Sequence, residues 1–253
     1  MPRLNDITGN WFPDPFLLAN AVGSGGVPNM ITIDKFGHNS AVSNTGTPED
    51  IWEDGGNLVF LTSAETMSIE STDAGDDKDG TTGSKNIIVQ GLDNDFNEIE
   101  ETIDLEGLTP VTTVNSFIRI NRLCCDDVGS SGVNLGKITA TATTAGTIQA
   151  SVSIGDGQTE KTQFTVPNGK TGYITNMWVG VGKGDDATIK LFVRKYEKSW
   201  RLRRHIDIFE SDVDFPFHSY IICDAKSDVR MTSLSGINNG IAVSAGYDMY
   251  ILG

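Results

Sequence analysis

Apolar residues along this chain fall in short runs or alternate with polar ones, and clusters of Gly, Asn, Asp, Ser and Thr interrupt them every few positions. That period of two, bounded by turn residues, is the pattern of half-buried β-strands. It predicts strands at 30–36, 58–61, 67–71, 86–90, 98–105, 117–123, 137–143 and 148–154. Further strands are predicted at 162–166, 172–181, 187–195, 201–209, 220–223, 229–234 and 241–252. Within 187–195, Ile189, Leu191 and Val193 point one way while Lys190, Phe192 and Arg194 point the other; Phe192 on the polar side marks a second packed surface. Asn168-Gly169 after Pro167 and Gly184-Asp185-Asp186 have the chemistry of tight hairpin turns. No stretch of ten or more residues keeps a capped period of 3.6. The fold class is therefore all-β, read as a jelly-roll-like β-sandwich with an extended N-terminal arm and room for a second small β lobe.

The arm is residues 1–28. They hold no sustained period, carry Pro13, Pro15 and Gly23-Ser24-Gly25-Gly26, and yet include Trp11, Phe12, Phe16, Leu17 and Leu18. Such a segment cannot make its own core, so its apolar side chains are expected to lie on the body or on a neighbouring subunit. The rest divides by charge into an acidic β-rich part, 29–109, and a sandwich part, 110–253.

Charge sharpens this division. The chain of 253 residues has a net charge of −15. Residues 1–109 hold 20 acids and 4 bases, and residues 110–253 hold 14 and 15. An acidic surface repels phosphate backbones, which argues against free nucleic acid as a partner. No apolar run approaches the roughly 18 residues of a membrane-spanning helix, so no membrane is expected either. The first residues lack a basic start and an apolar stretch, which reads as synthesis and assembly in a cytoplasm. Three cysteines, two of them adjacent at Cys124 and Cys125 and one at Cys223, make no disulfide framework and have no zinc spacing.

Candidate chemistry is sparse. Gly169-Lys170-Thr171 ends like a phosphate-binding loop, but Phe164 stands where its first glycine belongs and a strand follows. His38, His205 and His218 are scattered, and no GxSxG elbow accompanies them. Glu100/Glu101 and Asp126/Asp127 are adjacent pairs, whose members face opposite sides of a strand. The loop 71–85 offers Asp73, Asp76, Asp77 and Asp79 as metal candidates. Counting back from Gly80 puts Gly75 at the first ligand position of a calcium loop, so the loop reads as a mobile, solvated connection. The richest signal is basic: 189–205 holds Lys190, Arg194, Lys195, Lys198, Arg201, Arg203 and Arg204 with Tyr196 and Trp200. It reads as a docking strip for the acidic part of another copy, with Arg194, Lys195, Trp200, Arg201, Arg203 and Arg204 in contact beside Trp11, Phe12, Phe16 and Leu17 of the arm.

Three stretches carry a resemblance: "NIIVQGLDNDFNEIEETIDLEGLTPVTTVNSFIRINR" (86–122), "FTVPNGKTGYITNMWVGVGKGDDATIKLFVR" (164–194) and "NNGIAVSAGYDMYIL" (238–252), with "MITIDKFGHN" at 30–39. The chain resembles a family of virion structural proteins of tailed bacteriophages, chiefly of marine and aquatic bacteria. The resemblance implies a non-enzymatic particle component with a β-sandwich body, present in the virion and assembled in the host bacterial cytoplasm. It transfers no catalytic, cofactor or metal residue. The partners it implies are copies of itself, as a homo-oligomer, and other virion proteins, the major capsid protein first. Within that frame a capsid decoration or cement protein is preferred to a tail, neck or baseplate component that binds a host glycan. A virion hydrolase is the third reading, and it would need a Ser/His pair or two carboxylates meeting in one pocket.

Overall fold

The computed structural model describes the backbone of Leu4–Asn5 and Trp11–Phe12 and all of residues 20–253. Two short strands, β1 (Leu4–Asn5) and β2 (Trp11–Phe12), pair with each other. The body holds β3 (Met30–Val42), β4 (Glu49–Asp50), β5 (Met67–Ser71), β6 (Asn86–Leu92), β7 (Glu98–Asp104), β8 (Val111–Thr112), β9 (Arg119–Cys125), β10 (Ile138–Ala142) and β11 (Ile148–Val152). It continues with β12 (Phe164–Thr165), β13 (Thr171–Val181), β14 (Asp186–Arg194), β15 (Trp200–Phe209), β16 (Asp212–Cys223), β17 (Asp228–Ser235) and β18 (Ile241–Leu252). The protein is all-β, and every strand pair is antiparallel.

These strands make two sandwiches. In the larger, the sheet β16-β13-β18-β3 faces the sheet β12-β17-β14-β15, with β4 also on β17. Between them lies one core that includes Met177, Val179, Ile189, Leu191, Met231, Val243 and Tyr247. In the smaller, β7-β6-β9 faces β11-β10-β5-β8 over a core that includes Met67, Ile69, Ile87, Val89, Phe117, Leu123 and Ile138. The chain leaves the larger sandwich after β4 and returns at β12, so residues 58–163 form an insertion with its own core. The division expected at 109/110 cuts through that core, which takes Leu105 and Phe117 from either side. The charge boundary moves with it: residues 58–163 hold 17 acids and 6 bases, a balance of −11.

Alternation places the inward residues. Along β14, Ala187, Ile189, Leu191 and Val193 are buried and their neighbours half-buried, as the period predicts. Along β13 the buried set shifts from Gly172 and Ile174 to Met177 and Val179, because a bulge between Ile174 and Asn176 inserts one residue. The turns at Asn168-Gly169 and at Gly184-Asp185-Asp186 do not close hairpins. Each carries the chain from one sheet of the larger sandwich to the other, from β12 to β13 and from β13 to β14. A tight turn reverses direction; which sheet the next strand joins is decided by where its apolar face is buried. Strand β16 begins eight residues before its expected start, and Pro216 sits on this edge strand, where a missing N–H costs no sheet bond.

The expected extended arm ends in ordered structure. Residues 20–23 make a helical turn, and Val22 and Val27 are buried against Tyr250 on the outer face of β18. Phe16 and Leu17, and the side chains of Trp11 and Phe12, lie outside the described residues.

Candidate functional site

The two sandwiches meet over charged and aromatic side chains, and this junction is where the unusual chemistry of the molecule gathers. Asp228, at the start of β17, is nearly fully buried. Its carboxylate accepts bonds from Arg119 Nε of β9 (2.9 Å), Arg194 Nε and Nη2 of β14 (2.9 and 2.6 Å) and Thr165 Oγ1 of β12 (2.6 Å). Arg119 also donates to the carbonyls of Leu61 and Ile118 (2.8 and 2.7 Å). One carboxylate of the larger sandwich thus holds an arginine of the smaller one.

Around this hub runs a ladder of cations and rings. Arg230 lies 4.5 Å from the centroid of Trp200, Arg194 4.5 Å from Trp200 and 4.9 Å from Phe60, and Arg119 5.0 Å from Phe60 and 5.6 Å from Phe96. Lys226 completes it, between Phe96 and Tyr196 at 5.4 and 5.3 Å. Partly desolvated contacts of this kind contribute about 1 kcal/mol each. The ladder opens on a pocket of about 350 Å³ whose walls include Phe60, Phe96, Tyr196, Arg119 and Arg194.

Deeper in the junction, Lys161 is fully buried and donates to the carbonyls of Ile120 (3.0 Å) and Gln149 (2.7 Å). Lys35 of β3 donates to the Asn121 carbonyl at 2.8 Å. Burial holds both amines below the ordinary lysine range; the charge of Lys161 lowers Lys35 further, while Glu53 and Asp50 pull Lys161 back up. Neither carboxylate oxygen of Glu53 has a hydrogen-bond partner among the described residues. Burial pushes this carboxyl up to about 8, with Lys161 pulling it back.

The sign of the resulting pH dependence follows from proton counts. Between the ordinary carboxylate range and about pH 8, folded Glu53 keeps a proton that the unfolded chain has released, so this group lowers stability as pH rises through that window. Glu53→Gln removes the proton exchange. Its stability relative to the native chain is expected to climb between pH 5 and pH 8 by up to about 3–4 kcal/mol, the linkage of one retained proton over three pH units. Urea titrations at the two pH values measure it; a difference that does not change with pH would contradict the assignment.

A second cleft, of about 660 Å³, runs between β3 and the sheet of the smaller sandwich. Lys35, Asp34, Arg122, Glu98, Glu100 and Gln158 are among its lining residues. Arg122 crosses it to donate to the Asp34 carbonyl at 3.1 Å.

The acidic loop is a folded device and not a mobile connection. Asp76 is fully buried, and its carboxylate accepts the backbone N–H groups of Ser84 (2.8 Å), Leu135 (2.9 Å) and Gly136 (2.8 Å) and the hydroxyl of Ser71 (2.7 Å). Its lone pairs are occupied by donors. Asp73 and Asp77 accept the N–H groups of Gly75 and Asp79, closing two local turns. A β-carbon at Gly83 would fall 2.3 Å from Asp76 Oδ1, so the loop needs glycine there. Among the described residues no three His, Cys, Asp or Glu side chains group as a metal site.

The basic strip is divided by the structure. Arg194 and Trp200 are turned inward to the ladder, Lys195 pairs with Asp224 (2.5 Å), and Arg204 covers the Phe217 ring at 4.3 Å. Arg201 and Arg203 remain exposed on β15. The histidines stay apart on β3, β15 and β16. His38 Nδ1 and Ser244 Oγ lie 2.9 Å apart, a cross-strand pair between β3 and β18, and among the described residues no carboxylate comes within 4.0 Å of that ring. Glu100 and Glu101 point to opposite faces of β7, one to Gln90 and the other to the N–H groups of Val114 and Asn115. The three cysteines are free thiols. Among the described residues no helix is long and apolar enough to cross a membrane.

Sequence reading missed Asp228, Arg119, Phe60 and Glu53. Nothing local marks them: Arg119 and Asp228 are 109 positions apart.

No protein-family model and no curated protein matches the sequence. Among solved structures, the chain is similar to one in the structure of infectious bursal disease virus, Gt strain, at 8% identity and a TM-score of 0.24, over 94% of this chain and 78% of that one. A chain of the Gx strain is similar at 9% identity and a TM-score of 0.25, over 88% and 71%. The VP2 subviral particle of the same virus gives 8% identity and a TM-score of 0.21, over 88% and 72%. Scores at this level do not establish a shared fold.

Proposed function

We propose that this chain is a non-enzymatic structural protein of a bacteriophage virion, present in many copies and seated on the capsid as a decoration or cement protein. Two supports are independent of each other. The first is the resemblance of 30–39, 86–122, 164–194 and 238–252 to virion structural proteins of tailed phages. The second, which carries the reading, is the form of the body: two sandwiches pinned by a buried charged junction, with β7, β15 and β16 each paired on one side alone among the described residues. Long edge strands are templates for further pairing, and a protein that keeps them has use for partners. The jelly-roll reading of the larger sandwich belongs to the same proposal: between β13 and β18 the chain changes sheet at four of five connections.

A tail or baseplate protein that binds a host glycan is the second reading. It is favoured by the pocket whose walls hold the exposed Tyr196 beside Phe60, Phe96 and cations, since rings beside cations suit a sugar with an acidic group. Copy number separates the two. Absolute quantification of the chain in purified particles is expected to give on the order of hundreds of copies for a capsid protein, against about a dozen for a component of the tail axis.

A further inference from the structure

Two edge strands of this molecule carry opposite charge, and we infer that they pair with each other between copies: β15 of one subunit against β7 of the next. The inference rests on the proposed many-copy role for the presence of a second copy; the surfaces themselves are read from the fold. Strand β15, Trp200–Phe209, bonds only to β14 among the described residues, so one row of its backbone N–H and C=O groups is open. It holds Arg201, Arg203 and Arg204 against Asp207 alone, and it leaves Leu202 and Phe209 48% and 68% exposed. Strand β7, Glu98–Asp104, bonds only to β6 among the described residues. It holds Glu98, Glu100, Glu101 and Asp104 with no basic residue, and all but Glu101 are exposed.

Charge selects among the possible contacts. Pairing β15 with β15 would set arginines against arginines, and β7 with β7 carboxylates against carboxylates; like charges directly opposite on paired strands are destabilising. Strand β16 is acidic at Asp212 and Asp214, but Pro216 removes a donor from its edge. Of β7, β15 and β16, only β15 and β7 bring together edges of opposite sign that carry no proline, and the bulge of β15 lies at Arg203. Their contact is heterologous, the same two different surfaces meeting at every step, so it generates rings or rows of subunits and not a closed dimer. The small β7 sandwich of one copy then lies on the flank of the large sandwich of its neighbour.

Charge reversal tests it on the purified full-length chain. In variant A, Arg201→Glu and Arg203→Glu make β15 acidic. In variant B, Glu98→Lys, Glu100→Lys and Asp104→Lys make β7 basic, with Glu101 alone against three lysines. All five side chains are exposed, so both variants should melt close to the native chain, and far-UV circular dichroism checks this. Sedimentation velocity over a concentration series is expected to show the native chain self-associating at low salt and weakening as salt rises. Variants A and B alone should each lose association at least about tenfold, the scale of a reversed charge pair. An equimolar mixture should regain it, because the acidic β15 of A meets the basic β7 of B and the basic β15 of B meets the acidic β7 of A. A native chain that stays monomeric at every concentration, or a mixture no better than either variant, would overturn the inference. Association retained by B alone would overturn it in favour of β16, which stays acidic in that variant. None of these outcomes alters the copy number in particles, so this contact and the virion role fail separately.

Discussion

Asp228→Ala is expected to lower stability by about 3–5 kcal/mol, the cost of leaving a buried ion pair with one partner removed. Two guanidinium groups and the Thr165 hydroxyl converge on this carboxylate, and only its two oxygens neutralise them. Alanine would leave Arg119 positive in a place where its side chain is 10% exposed. Arg119 cannot escape by losing its proton, because a guanidinium stays charged at any accessible pH. The rings of Phe60 and Phe96 remain, but they offset only a fraction of the lost charge. For a chain of this length the loss corresponds to roughly 6–20 °C in melting temperature. Asp228→Asn, which keeps the shape and one acceptor oxygen, should fall between the native chain and alanine. Calorimetry on the three proteins checks the order; an alanine variant within 1 °C of the native chain would show that the hub does not hold the junction.

The second large effect is expected at Asp76. Replacing it by alanine strands three backbone N–H groups and a serine hydroxyl in a site with no exposure. Each buried donor left without an acceptor costs about 1–3 kcal/mol, and water entering the vacated space recovers part of it. A net loss of about 4 kcal/mol is expected. Asp76→Asn should be nearly as harmful, since its amide presents hydrogens to N–H groups that need an acceptor. The damage should be local before it is global. Amides of Ser84, Leu135 and Gly136 are expected to lose hydrogen-exchange protection, while those of β14 and β17 in the other sandwich keep theirs. Uniform loss of protection across both sandwiches would contradict two separate cores.

How far the sequence could be read depends on the range of the interaction. Strands β5 and β14 lie within a residue of their expected limits because alternation is a property of neighbours in sequence. The turns at Asn168-Gly169 and Gly184-Asp185-Asp186 were visible for the same reason, but not the sheet changes they make, which depend on distant faces. The acidic loop shows the limit most clearly. Asp, Gly, Thr and Ser suit a solvated loop and a tightly wound one equally, and only contacts with residues 135 and 136 turn Asp76 from a surface acid into a buried acceptor. The basic strip was found by composition, yet Arg194 and Trp200 in it point inward. Burial of Arg194 and Trp200 is set by Asp228 and Phe60, which lie 34 and 140 positions away from them.

The central claim, that this chain is a many-copy structural component of a virus particle, is tested most directly by following it through particle purification. Particles banded in a density gradient would be quantified against isotope-labelled peptides of this chain and of the major capsid protein. The account predicts that the chain stays with the particles at a fixed ratio, on the order of hundreds of copies each. A chain that separates from the particles, or remains at less than one copy per particle, would contradict it.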